Sequence, residues 1–236
     1  MERLGIFYTC NDNILLAPLI KKVLKQLKKA SNNVDILTSV FQPIRKNPFP
    51  QYLSPYTKKS YTTLALQILS LLCYANKQKK YKYVSFLEHD VLYPKGYFDY
   101  PDFDDNVLIY TNSLAVNKFG YFKLDYTKKH FYNFFCVESF LYQTTMLFDF
   151  AMSHFSKYLL STLTDPNDEA SDYSIEPFEE IRKNKIEYYG KHPIVHFDNG
   201  ENYTAHFDWY DKNSDVVSPD NYYWGNVKKY QKYFPY

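Results

Sequence analysis

The 236-residue sequence predicts one α/β domain: a mixed, mainly parallel sheet flanked by helices. Three observations predict it. Apolar runs of strand length alternate with helical stripes from Leu4 to Leu87. The run Tyr83 to Leu87 is almost wholly apolar, as a central parallel strand covered on both faces requires. The length suits one substantial core rather than two.

Taken in order, Leu4 to Thr9 reads as a buried strand. After Asn11-Asp12-Asn13 comes a helix whose Leu16, Ile20, Val23 and Leu27 recur at helical spacing, with Asp12 or Asn13 as its cap. Lys21, Lys22, Lys25, Lys28 and Lys29 lie mostly off that apolar stripe and read as a solvated helix surface. Val34 to Val40 is a second strand. It leads into a Pro-rich stretch, Gln42 to Pro55, and then a helix with Leu64, Ile68, Leu71, Leu72 and Ala75 on one stripe. The next strand, Tyr83 to Leu87, ends abruptly in Glu88-His89-Asp90.

In the second half, strand-like runs at Val107 to Thr111 and Phe119 to Leu124 sit close together. A helix is expected from about Ser139 to Leu160, and a short strand at Ile194 to Phe197 ends near the turn dipeptide Asn199-Gly200. Trp209 to Tyr236 is rich in aromatics and turn residues without a clear period.

Composition narrows the function classes. With 28 Lys+Arg against 26 Asp+Glu, the whole-chain field gives no strong pull toward polyanions. Aromatics form 20% of the chain, which is too apolar for disorder and supplies rings with polar tips for pockets. Cys10, Cys73 and Cys136 are far apart, odd in number and without CxxC spacing, so the expectation is a reducing compartment and no structural zinc. The start shows no apolar signal core, and the most apolar run, Thr63 to Ala75, is too short to span a bilayer.

The chemistry concentrates at Glu88 and Asp90. In open α/β sheets ligands gather beyond the carboxyl ends of the parallel strands. Two acids one residue apart, leaving a buried strand, can turn carboxylate oxygens toward one hard cation and leave positions open for phosphate. Glu88 also follows five near-continuous apolar residues, where an uncompensated carboxylate is costly. A third ligand is sought among His192, His196 and His206; imidazole beside carboxylate would favour Mn²⁺ over Ca²⁺. His89 alternates to the opposite side of the strand and reads as structural.

Several segments carry a family likeness. Tyr83 to Pro94 spells YVSFLEHDVLYP, Phe7 to Asn11 spells FYTCN, and Ser39 to Ile44 spells SVFQPI. Tyr110-Thr111-Asn112, Ile175-Glu176-Pro177 and Tyr223-Trp224-Gly225 follow. With the segment Pro193 to Thr204, the chain resembles a GT-A-type glycosyltransferase-like family of bacteria and phages. Its motifs run "YVxFLEHDVLYP" and "PxIDIRHGxNLT". His196 stands where that family often has Asp, and Asn199 where it often has His. Asn202-Tyr203-Thr204 fits the family frame better than it fits a glycosylation acceptor.

The resemblance implies a GT-A-like, Rossmann-like fold over 1–236, with 1–105 as the nucleotide-binding half and 106–236 as the acceptor half and tail. It implies a Mn²⁺- or Mg²⁺-dependent transfer of a sugar from a nucleoside diphosphate sugar to an acceptor hydroxyl, in a bacterial or phage-infected cytoplasm. Glu88, Asp90 and His196, with His206 behind it, are the expected metal ligands. Tyr8, Thr9, Asn11, Ser39, Gln42, Pro43, Glu88, His89 and Asn112 are expected at the donor. Asp90 is the expected catalytic centre, and Glu176 or Glu138 the carboxylate base of an inverting enzyme.

Phage members point to a hydroxymethylated pyrimidine in DNA as one acceptor. The tail's Tyr222, Tyr223, Trp224, Lys228, Lys229, Tyr230, Lys232 and Tyr233 interleave rings and cations as a nucleic-acid surface does, or as a tail docked on the core. A surface polysaccharide, a lipid-linked sugar or a protein is the rival acceptor. Outside transfer, the rivals are a silent nucleotide-sugar-binding module and a metal-dependent phosphodiesterase or nucleotidyltransferase.

Overall fold

A computed structural model describes residues 3–11, 14–57, 61–78, 80–103, 107–117, 119–123, 133–136, 185–197 and 218–234. The expected helix Ser139 to Leu160, the turn Asn199-Gly200, the caps Asp12 and Asn13, and Glu138, Glu176 and His206 lie outside these residues.

The strands in chain order are β1 (Arg3–Thr9), β2 (Asp35–Val40), β3 (Gln51–Leu53), β4 (Tyr83–Leu87), β5 (Val91–Leu92), β6 (Val107–Tyr110), β7 (Ser113–Val116), β8 (Tyr121–Lys123), β9 (Asn133–Cys136), β10 (Lys185–Tyr188), β11 (Ile194–Phe197), β12 (Asp220–Asn221) and β13 (Gly225–Asn226). Among the described residues the helices are α1 (Ala17–Ala30) and α2 (Tyr61–Gln78), with 3-10 segments at Ile14–Leu16 and Val227–Tyr233.

The main sheet runs β10-β6-β9-β4-β1-β2-β3. β4, β1, β2 and β3 are parallel, β6 and β10 are parallel, and β9 is the antiparallel insert between β4 and β6. The mixed, mainly parallel sheet expected from the sequence is therefore present.

Period-2 alternation sorts the strand residues onto two cores. Leu4 and Ile6 of β1 and Val84 of β4 join Leu71, Leu72 and Ala75 of α2 on one face. Phe7, Tyr83 and Leu87 join Leu19, Ile20, Val23, Leu24 and Leu27 of α1 on the other. Each such fully buried aliphatic side chain is worth about 1.5–3 kcal/mol of transfer free energy, which is why these two stripes decide the layering. Gly5 provides room on the α1 face: a Cβ there would lie 2.5 Å from Ile36 Cδ1 and 2.7 Å from Leu87 Cδ1.

A second sheet, β5-β11-β7-β8, stands at the carboxyl edge of the first. Among the described residues the chain passes from one sheet to the other at three places: β10 through 189–193 into β11, and, beside it, β4 through Glu88-His89-Asp90 into β5 and β6 through Thr111-Asn112 into β7. β11 pairs with the other two arrivals, antiparallel to β5 and parallel to β7. This crossing positions the site, because it brings β11, more than 100 residues later in the chain, against the end of β4.

Three local readings are corrected. The α1 N-cap position is Leu16, without a side-chain cap, because the helix is entered through the 3-10 turn and carries Pro18 in its first turn. The Pro-rich stretch contains β3, a three-residue edge strand pinned by Thr38 Oγ1 donating to the Pro50 carbonyl at 2.7 Å. The run expected from Phe119 starts only at Tyr121. Asn117 Oδ1 accepts from the Phe119 and Gly120 amides at 2.8 and 3.2 Å, making a turn whose other arm is the unexpected strand β7. Of the two readings of the tail, docking on the core is the one seen over its described part: Trp224 Nε1 donates to the Pro193 carbonyl at 2.7 Å, and Trp224, Val227 and Tyr230 are buried. No helix among the described residues is long and apolar enough to cross a membrane.

Candidate metal centre

Glu88 and Asp90 sit in the turn between the two sheets. Phe7 pairs with Leu87 in the β1–β4 register, so Tyr8 stands level with Glu88, and its hydroxyl reaches Glu88 Oε1 at 3.4 Å. The turn is held by three backbone contacts. The Glu88 amide donates to Tyr93 Oη at 2.7 Å, the Phe197 amide to the Asp90 carbonyl at 2.8 Å, and Gln26 Nε2 to the Tyr93 carbonyl at 3.4 Å.

Across β11 and β5, His196 pairs with Val91, the residue that follows Asp90. Nε2 lies 3.1 Å from Asp90 Oδ2, with His196 and Asp90 only 6% and 4% exposed. One donor atom each from Glu88, Asp90 and His196 falls within a mutual 4.8 Å. Burial above all, then the Glu88 and Asp90 charges, holds the Tyr8 phenol well above its usual range. Tyr8 is therefore a protonated donor toward Glu88 at any ordinary pH.

The donor set fits a divalent cation of the Mn²⁺ or Mg²⁺ kind. The three groups stand close enough together to turn toward one ion.

The sequence matches no protein-family model and no curated protein. Solved structures with a similar chain path do exist. One is a protein from Desulfovibrio desulfuricans G20 described as a nucleotide-diphospho-sugar transferase: 10% identity, 84% of this chain and 82% of that one, TM-score 0.42. A second is a glycosyltransferase involved in glycosylation of the major capsid of PBCV-1: 9% identity, 83% and 92%, TM-score 0.44. A third is S. aureus TarS 1-349 in complex with UDP-GlcNAc: 11% identity, 84% of this chain but 58% of that one, TM-score 0.47. At these scores the chain paths agree in outline only.

The other expected site residues separate into groups. At the carboxyl ends of β1 and β2, Asn11 Oδ1 accepts from the Phe41 and Gln42 amides at 2.9 and 3.1 Å, while its Nδ2 donates to the Gln42 carbonyl at 2.7 Å. The carboxamide of Asn11 is thus committed to holding this loop. Thr9 and Ser39 are buried behind it, and Gln42 and Pro43 are exposed. Asn112 Nδ2 donates to the Gly190 carbonyl at 2.7 Å, tying the β6–β7 link to the chain before β11. His192 stacks on Tyr223 at 4.1 Å between ring centres, so its ring belongs to the tail's docking surface. His89 lies half-buried in the turn between its two acidic neighbours.

Tyr93 is the residue that sequence reasoning missed. Its hydroxyl fixes the backbone of Glu88, and the available signal was a tyrosine five positions after the first acid, preceding Pro94.

Proposed function

We propose that this chain is a metal-dependent glycosyltransferase, moving a sugar from a nucleoside diphosphate sugar to an acceptor hydroxyl. The observation that carries this reading is the convergence of Glu88, Asp90 and His196 beyond the carboxyl end of the parallel strands β4 and β1. The FLEHDVLYP resemblance supports it from the sequence side.

Asp90 and Glu88 would supply the anionic ligands and His196 the neutral one. A divalent cation bound there would draw off negative charge from the departing diphosphate. Tyr8 and Tyr93 orient Glu88 from its side chain and its backbone respectively. The exposed Gln42 and Pro43, held in place by Asn11, form a rim at the neighbouring strand ends where a nucleoside would lie. Glu176, beside Pro177, is the preferred base and Glu138 the second choice, on the sequence alone. The acceptor reading that comes from the resemblance is a hydroxymethylated pyrimidine in DNA, with polysaccharide, lipid and protein as its competitors.

The test is release of free nucleoside diphosphate from UDP-, GDP-, ADP- and TDP-sugars with and without Mn²⁺. Metal-dependent release from one of them is expected, falling on the order of a hundredfold or more in Asp90→Ala. Release that persists in chelator, or none from any donor, contradicts the reading. Pyrophosphate release from a nucleoside triphosphate would replace sugar transfer with nucleotidyl transfer.

A further inference from the structure

The lysines of α1 and those of the tail are some 200 residues apart in sequence, yet they meet in space. A groove of about 380 Å³ runs along α1, lined by Lys21, Lys22, Lys25 and Lys29 together with Pro18, Gln26 and Tyr233. Lys229 and Lys232 of the 3-10 segment Val227–Tyr233 are close enough to act on Lys22. Burial, then Lys229, Lys29, Lys25 and Lys232 in that order, lowers the Lys22 pKa. Lys22 and Lys229 both stand over the Tyr230 ring, at 5.7 and 5.0 Å, and Lys232 stands over Tyr233 at 5.2 Å. Among the described residues, none of these six lysines forms an ion pair with an acid.

On a chain whose net charge is only +2, such a gathering is local and built from two elements. Phe197 lies next to His196 in β11, and its ring packs against those of Tyr230 and Tyr233. Neighbouring strand residues face opposite sides, so the groove lies across β11 from the Glu88-Asp90-His196 cluster and is a separate surface.

We propose that this groove binds a nucleic-acid strand through its phosphodiester backbone. The chemistry favours a strand over an anionic bilayer on three counts. The cations line a concave channel, with Lys22 half-buried, which a flat surface cannot follow. The apolar stripe of α1 is spent on the core, so no apolar face remains to enter a membrane beside the lysines. Tyrosine rings stand among the ammonium groups, and the half-buried Tyr233 offers a ring to a base in the manner of single-strand binders. Lysine point charges in place of arginine forks suit sequence-tolerant backbone contact.

The test is fluorescence anisotropy of a labelled 20-nucleotide single-stranded DNA, without nucleotide sugar or divalent metal, so that it is independent of the transferase reading. If four of the six lysines close on phosphates, the slope of log K against log salt is about −2.8, and affinity drops about fifty-fold between 50 and 200 mM salt. The triple variant Lys25→Gln, Lys29→Gln, Lys232→Gln changes only exposed side chains and is expected to weaken binding on the order of tenfold or more, flattening the slope by about 2. Lys77→Gln on α2 is expected to bind as the unaltered chain does. Absence of binding at 50 mM salt overturns the proposal, as does a triple variant that binds like the parent. Flotation with phosphatidylserine vesicles that the triple variant loses, in the absence of DNA binding, overturns it in favour of a membrane surface.

Discussion

At the residue scale, the site depends on how Glu88 is held. Its backbone amide donates to a buried tyrosine hydroxyl and its side chain accepts from a phenol that burial and two carboxylates keep protonated. Tyr93→Phe leaves the ring in place and removes the acceptor. Leaving a buried N–H unsatisfied costs about 1–3 kcal/mol, so a lower melting temperature and weaker Mn²⁺ binding are both expected. Calorimetry and a metal titration on the same variant check the two halves; a variant that melts lower but binds Mn²⁺ as tightly would make Tyr93 a packing residue only. Legibility at this scale was uneven. Glu88 and Asp90 could be read from an apolar strand that stops in acids, whereas His196 was singled out from His192 and His206 only by the family frame. Tyr93 could not be read, because a hydroxyl that serves a backbone amide five residues earlier has no periodic signature.

At the element scale, the sequence spoke clearly wherever a face is buried. α1, α2, β1, β2 and β4 each carry an apolar pattern over five or more residues, and each is found where that pattern places it. The elements that escaped, β3, β5, β7, β9 and β10 among them, have two to four residues and are defined by partners distant in sequence. The crossing between the sheets escaped for the same reason, although it is the feature that delivers His196 to Asp90. Its tightest point is Gly190, where an added Cβ would overlap the ring of Tyr110, a buried side chain whose hydroxyl donates to the His192 carbonyl at 2.6 Å. Gly190→Ala is expected to destabilise the chain by about 1–3 kcal/mol, because a buried and hydrogen-bonded ring must move. Thermal unfolding measures this directly, and an unchanged melting temperature would mean that the β10–β11 connection gives more easily than its packing implies.

At the scale of the whole molecule, the two larger sheets together with α1 and the tail generate two distinct surfaces. One is the acidic, buried centre where β4, β1 and β11 meet; the other is the lysine groove between α1 and the tail. Net charge concealed the second, because +2 averages over patches of both signs. The lysines of α1 had been read as solvated and those of the tail as either nucleic-acid-binding or docked; the fold docks the tail and thereby joins the two sets. The account stands or falls on the first surface. Its most direct test is a titration of Mn²⁺ followed by the electron-paramagnetic signal of the free ion, using the unaltered chain and Asp90→Asn, each with and without a nucleoside diphosphate. The account expects one saturable site per chain, tightened by the diphosphate and lost in Asp90→Asn. An unaltered chain with no saturable site, or an Asp90→Asn variant that holds Mn²⁺ equally well, would contradict it.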